Sequence, residues 1–131
     1  MMFRGEFWFL SNMARTPITY KQYKFENAEA FFQACKDGSK VAMFQGVDGP
    51  TAKRLGRRVN LRPDWEKVKV RIMEKVVRMK FEQHPELLER LKAIPGEIVE
   101  DNTWNDTFWG RCNGRGRNEL GKILMKIRDE H

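Results

Sequence analysis

The sequence predicts a mainly α-helical fold with a few short β-strands near the N-terminus and in the middle. Three observations carry this prediction. Apolar residues recur at helical spacing over most of the chain after residue 27. Prolines and glycines stand at the edges of several of these stretches, as at Gly38, Pro50, Pro63, Pro85 and Pro95-Gly96. Strand-like alternation is confined to short segments.

The stretch 3–10 is aromatic-rich and predicts a short strand. Ile-Thr-Tyr-Lys-Gln-Tyr-Lys-Phe alternates apolar and polar residues and predicts a second strand over 20–25. A first helix is expected over 27–37, because Ala28, Phe31, Phe32 and Cys35 fall at i, i+3, i+4 and i+7 on one face. Asn27 suits its N-cap and Gly38 its stop. A short helix is expected after Ser39 and another over 50–59. The longest is expected over 63–83, with Pro63 at the first helical position and Trp65, Val68, Ile72, Val76 and Met79 as its apolar stripe. Pro85 opens a further helix with Leu87, Leu88 and Leu91 inward, and Pro95-Gly96 ends it. A short strand is expected over 97–99. The last helix starts near Asn118 and buries Leu120, Leu124 and Ile127.

The chain's 131 residues suit one domain, 1–131, large enough for a sizeable core. With 40% hydrophobic and 33% charged residues it reads as globular and not as disordered. No apolar run approaches the roughly 20 residues needed to span a bilayer, and no signal-peptide h-region opens the chain. An intracellular, cytoplasmic protein without a membrane partner is expected. Cys35 and Cys112 do not make a disulfide framework, and His84 and His131 have poor settings for a metal. No metal or cofactor is expected. The net charge of +7 suits an anionic partner, either nucleic acid or a phosphorylated small molecule. Positive charge is locally dense at Lys53-Arg54…Arg57-Arg58 and at Arg111…Arg115…Arg117.

Four segments carry candidate chemistry. On the first helix Glu29, Gln33 and Lys36 fall at i, i+4 and i+7, along the edge beside the apolar stripe. That edge suits the rim of a pocket, although a solvated Glu–Gln–Lys ladder is the commoner meaning of such a pattern. Residues 102–118 hold Trp104, Trp109, Phe108, Asp106 and three glycines without helical or strand period. Aromatic faces in such loops stack on flat rings, and the plain alternative is a loop anchored by its tryptophans. Gly114-Arg-Gly-Arg-Asn118 then leads into the last helix, a setting that favours a phosphate on Arg115, Arg117 and the helix start. An ordinary surface turn explains it equally well. Finally, Ser11-Asn12 follows an apolar stretch, where a turn is the usual reading.

Taken in order, Phe-Leu-Ser-Asn (9–12), Ala-Glu-Ala-Phe-Phe-Gln-Ala-Cys-Lys (28–36), Asp-Trp-Glu-Lys-Val-Lys (64–69), Asn-Asp-Thr-Phe-Trp-Gly (105–110) and Gly-Arg-Asn-Glu-Leu-Gly-Lys-Ile-Leu-Met-Lys-Ile-Arg (116–128) resemble the NADAR family, also called YbiA-like or DUF1768. The resemblance extends from near residue 7 to the C-terminus. It implies a compact, mainly helical YbiA-like domain that cleaves N-glycosidic bonds. Two substrate types are associated with the family: ADP-ribose attached to guanine in nucleic acid, and a ribosylamino-pyrimidine phosphate of riboflavin synthesis. Glu29 occupies the family's catalytic glutamate, and Lys36 the lysine closing its first helix motif. Trp65 and Asp106 match positions implicated in activity. Trp109-Gly110, Asn118 and Gly121 match the closing motif. The chain departs from the pattern at Ala30, where the family commonly has His or a similar polar residue, and at Arg111-Cys112, where it often has Asp-Gly.

Cleavage at an anomeric carbon passes through an oxocarbenium-like state, which a carboxylate stabilises. Glu29 is the candidate for that role. Asp106 is the candidate second acid/base or ribose ligand, and Lys36 the candidate for an imine with opened ribose. Ser11, Asn12, Gln33, Trp65, Trp109, Gly110, Arg115, Arg117, Asn118 and Gly121 are the candidate substrate-binding residues. The charge and Arg111 favour ADP-ribosylated guanine in DNA or RNA, with the pyrimidine nucleotide as the alternative. A non-catalytic ADP-ribose-binding module and a plain nucleic-acid binder are the two other classes.

Overall fold

The computed structural model describes all 131 residues, Met1–His131. As predicted, it is mainly helical: five α-helices, two short 3-10 helices and two two-stranded sheets. The chain divides into two compact units, residues 12–83 and residues 1–11 with 84–131. No helix is long and apolar enough to cross a membrane.

The first unit opens with a hairpin of β1 (Arg15–Tyr20) and β2 (Tyr23–Asn27). The strand expected over 20–25 is therefore two strands, because Lys21 adopts a left-handed φ of 54° and turns the chain between Tyr20 and Tyr23. Pairing is irregular between Arg15 and Ile18, where Pro17 has no N–H to give. Asn27 caps α1 (Ala28–Ala34) by accepting from the Ala30 N–H at 2.8 Å, as the sequence predicts. The helix stops at Ala34, before Gly38, because the next turn tightens to Lys36 N–H on Gln33 O and Asp37 N–H on Ala34 O. A 3-10 helix (Val41–Phe44) follows, then α2 (Gly49–Gly56), capped by Asp48, and α3 (Trp65–Gln83). Pro63 lies outside α3: Asp64, ion-paired with Arg62, accepts the first N–H bonds from Lys67 and Val68. The core gathers Ile18, Phe25, Phe31, Phe44, Ala52 and Val76, with the Phe25 and Phe31 rings stacked 4.8 Å apart. All seven residues of α1 are buried, so this short helix is held by its surroundings and not by its own propensity.

In the second unit the strand expected over 3–10 is a 3-10 helix, Gly5–Leu10. Gly5, at φ 59°, starts the turn, and Phe9 and Leu10 are both buried, which alternation would not allow. α4 (Pro85–Lys92) buries Leu87 and Leu91, while Leu88 is half-buried. The strand expected over 97–99 is also displaced. Ile98 and Val99 are buried, but their neighbours' backbone is held by a side chain: Asn118 Nδ2 donates to Ile98 O and its Oδ1 accepts from Glu100 N–H. Sheet pairing begins afterwards, with β3 (Asp101–Asn102) parallel to β4 (Arg111–Cys112). α5 (Glu119–Glu130) buries Leu120, Leu124 and Ile127 as predicted, and Ile123 with them.

Candidate active site

Glu29 lies in the first turn of α1 and is only 8% exposed; Gln33, one turn on, is 6% exposed. The polar edge of α1 is thus inside the unit and not at a solvated rim. Burying a carboxylate is costly unless it is hydrogen-bonded or paired. Here Gln33 Nε2 donates to Glu29 Oε1 at 2.8 Å. The Glu29 backbone N–H donates to Asn12 O at 3.0 Å, which ties Asn12 to the helix start. Asn12 is itself buried, with Nδ2 3.3 Å from Met73 Sδ.

Lys36 sits just beyond α1, half-buried, with Nζ 5.7 Å from the centre of the Trp65 ring. Trp65 is buried and tilts against Phe32 with ring centres 5.0 Å apart. Burial lowers the Lys36 pKa, the Glu29 charge opposes this, and Arg57, Lys53 and Lys69 lower it further. A lysine of lowered pKa has a larger neutral fraction and so is the better nucleophile. Burial also pushes the neighbouring Cys35 thiol up to about 11.

Sequence reading missed Gly56, because nothing local marks it. A Cβ there would fall 1.9 Å from Gln33 Oε1. The α2 glycine therefore makes room for the amide that holds Glu29. Helix propensity alone would make Gly56→Ala stabilising by about 1 kcal/mol. Overpacking costs about 1–3 kcal/mol, so the expected result is net destabilisation with a reduced turnover rate. Denaturant midpoints and initial rates check it; an alanine variant that is more stable and fully active would mean Gln33 is not confined there.

The remaining candidates gather in the second unit. Asn102 clamps Asp106 from both sides, Nδ2 donating to Asp106 O at 2.8 Å and Oδ1 accepting from Asp106 N–H at 3.0 Å. The Asp106 Oδ1 accepts from the Phe108 and Trp109 N–H groups at 3.1 and 2.9 Å. Phe108 meets Trp109 edge-on at 4.8 Å, and Arg117 covers the Phe108 ring at 4.8 Å. Arg117 also pairs with Glu119, and Arg115 is exposed. Asn118, at φ 54°, is buried and donates its N–H to Gly110 O. A Cβ at Gly121 would fall 2.3 Å from Ile98 O and from the Asn118 amide, and one at Gly110 would fall 2.2 Å from Glu100 O. These three residues are locked into the loop's own packing. Ser11 belongs to this unit, its N–H donating to Trp8 O.

The structure therefore brings Asn12, Glu29, Gln33, Lys36 and Trp65 into one unit. Asp106, Trp109, Gly110, Arg115, Arg117, Asn118 and Gly121 stand in the other. A buried carboxylate, an amide and a lysine of lowered pKa are a set suited to stabilising positive charge and moving protons.

Comparison with known proteins fixes the family. A NADAR domain model matches residues 2–130. The chain belongs to the NADAR family. The N-glycosidase YbiA of Shigella flexneri serotype 5b is 41% identical over 127 residues, 92% of this chain and 79% of that protein. An N-glycosidase of Nostoc punctiforme is 33% identical, over 92% of this chain and 83% of that protein. A riboflavin biosynthesis protein of Vibrio vulnificus is 34% identical over 93% of this chain, which spans 35% of that protein. The NMR structure of Escherichia coli YbiA superposes with a TM-score of 0.84 at 38% identity, over 96% of this chain and 79% of that one. The NADAR chain described here is an N-glycosidase, a hydrolase acting on N-glycosyl compounds.

Proposed function

We propose that this NADAR protein hydrolyses the bond between ribose and base with Glu29 as its working carboxylate, and that it removes ADP-ribose from ADP-ribosylated guanine in nucleic acid. The observation that carries this reading is the buried Glu29–Gln33 couple beside Lys36. In the step, the C1′–N bond breaks and its electron pair leaves with the base, which takes up a proton. Water adds its oxygen to C1′ and gives a proton to Glu29. Fixed negative charge beside C1′ is worth far more in a buried setting than in water. Lys36 offers a second route, in which its neutral amine attacks C1′ of the ring-opened ribosyl group, the C1′–N bond to the base breaks with its electron pair and a proton leaving on the base, and water then hydrolyses the lysine imine to free the sugar and the amine. Asp106 is the further proposed acid/base or ribose ligand, and Trp109 the proposed stacking face for the base.

The net charge of +7 and Arg111 support an anionic, polynucleotide-borne substrate. The second reading, hydrolysis of a ribosylamino-pyrimidine phosphate, is favoured by the names of the Vibrio relative and of a chloroplastic maize relative, 28% identical, that is also called a riboflavin biosynthesis protein. Incubation with ADP-ribosylated guanine DNA or RNA and, in parallel, with the pyrimidine nucleotide, followed by mass spectrometry, decides between them. Release of ADP-ribose from the nucleic acid is expected. Release from the pyrimidine nucleotide alone would establish the second reading. Tight ADP-ribose binding with no product from either would reduce the domain to a binding module.

A further inference from the structure

We infer that Lys53 and Arg57 of the α2 end, together with Lys36, form the seat for a phosphate group of the substrate. The inference rests on the ribosyl-substrate reading above and says where the anion goes. The end of α2 packs against the carboxylate's holder: a Cβ at Gly56 would fall 1.9 Å from Gln33 Oε1, whose Nε2 donates to Glu29 at 2.8 Å, and Arg57 follows Gly56 directly with Lys53 one turn before it. Lys36, three residues beyond Gln33, feels the charges of Arg57, Lys53 and Glu29. The basic group therefore adjoins the buried carboxylate within one unit. A phosphate carried on the ribose would lie only a few bonds from the carbon that Glu29 serves.

Most cations around this place are already engaged. Arg54 donates to Thr51 Oγ1 at 3.0 Å, Arg62 chelates Asp64 at 2.6 and 3.0 Å, and Lys69 pairs with Glu66 at 2.7 Å. Lys53, half-buried, and Arg57, exposed, have no carboxylate partner. Basic residues at a helix C-terminus are favoured by the helix dipole, which accounts for Lys53 and Arg54 in the last turn of α2. It does not account for packing a half-buried Lys36 among them, which adds repulsion. A bound dianion reverses that repulsion and gives Arg57 the planar, paired contact its guanidinium favours.

The site expected from sequence, the Gly/Arg turn before α5, is less well equipped. The N–H groups of Asn118, Glu119 and Leu120 already donate to Gly110 O, Phe108 O and Trp109 O. Arg117 is paired with Glu119, and Lys122 lies 3.6 Å from the same carboxylate. A helix start whose donors are taken, with an acid in its first turn, has little left for an anion.

The test is titration of the full chain with inorganic phosphate and, separately, pyrophosphate, at constant ionic strength in chloride, read by calorimetry or amide shifts. The variants are Arg57→Gln, Lys53→Gln with Arg57→Gln, and Arg115→Gln with Arg117→Gln. Phosphate binding is expected to weaken about tenfold or more in the Lys53/Arg57 pair and to stay within about twofold in the Arg115/Arg117 pair. Tighter pyrophosphate than phosphate would point to a diphosphate-bearing substrate, and the reverse to a phosphomonoester; both fit the seat. Equal binding by wild type and the Lys53/Arg57 pair, loss in the Arg115/Arg117 pair instead, or no phosphate binding at all would overturn it. Should the double variant not fold, Arg57→Gln alone, at an exposed position, is expected to show a several-fold loss. Base release and KM on the ribosyl substrate are measured separately on the same variants. A chain that seats phosphate on these residues but releases no base would overturn the glycosidase reading alone, and one that turns over with a KM indifferent to them would overturn the seat alone.

Discussion

Glu29→Gln is expected to lower kcat on the ribosyl substrate on the order of 10³-fold while leaving the protein folded. The amide keeps the shape of the carboxylate and can still accept from Gln33 Nε2 at the same place. The change removes the negative charge that faces the developing oxocarbenium ion and the oxygen that takes the water's proton. It also removes the one charge that raises the Lys36 pKa, so Lys36 should become more neutral at a given pH. Because a buried carboxylate carries a desolvation cost that an amide of the same shape does not, stability should hold or rise by about 1 kcal/mol. Rates under single-turnover conditions, with thermal melting as the control for folding, check both halves. A folded variant with the wild-type rate would remove Glu29 from the mechanism.

Lys80→Met is expected to stabilise the protein at pH 7 by on the order of 2–4 kcal/mol. Lys80 is 1% exposed on α3, its Nζ 5.4 Å from the Phe81 ring centre. Burial lowers its pKa from 10.5 to about 7. Between those two values the unfolded chain holds a proton that the folded chain has given up. Stability therefore rises with pH from about 7 to 10.5, and below 7 the unfavourable contribution is flat. Methionine has no proton to lose and fills similar volume. The variant should be more stable at neutral pH, and its advantage should shrink as pH rises through that window. Urea unfolding of both proteins at pH 7 and 9.5 measures this as a difference, so other titrating groups cancel. An advantage that is absent at pH 7, or constant with pH, would contradict it.

Much of the fold was legible. The apolar spacing of Ala28, Phe31, Phe32 and Cys35, the Asn27 cap and the Leu120, Leu124 and Ile127 stripe all describe structure that is local to a few turns. The errors lie where a distant or special contact overrides the local pattern. Residues 3–10 coil because Gly5 turns and Phe9 and Leu10 are buried together. Residues 20–25 fold back because Lys21 accepts a left-handed conformation that few non-glycine residues take. Residues 97–99 are held by the Asn118 side chain in place of a strand partner.

The same division runs through the site. The helix that carries Glu29, the i, i+4 relation that lets Gln33 reach it and the ordered motifs that place the chain among NADAR proteins are all readable from the order of residues. The burial of this polar edge comes from long-range packing. Helical period says which residues share a face, but the face's surroundings come from residues far along the chain: Asn12 O on the Glu29 N–H, Gly56 against Gln33, and Trp65 beside Lys36. Burial then changes the chemistry. The same Glu–Gln–Lys ladder in water would be three solvated side chains screened from one another, while inside the unit their charges shift pKa values and act on what binds beside them.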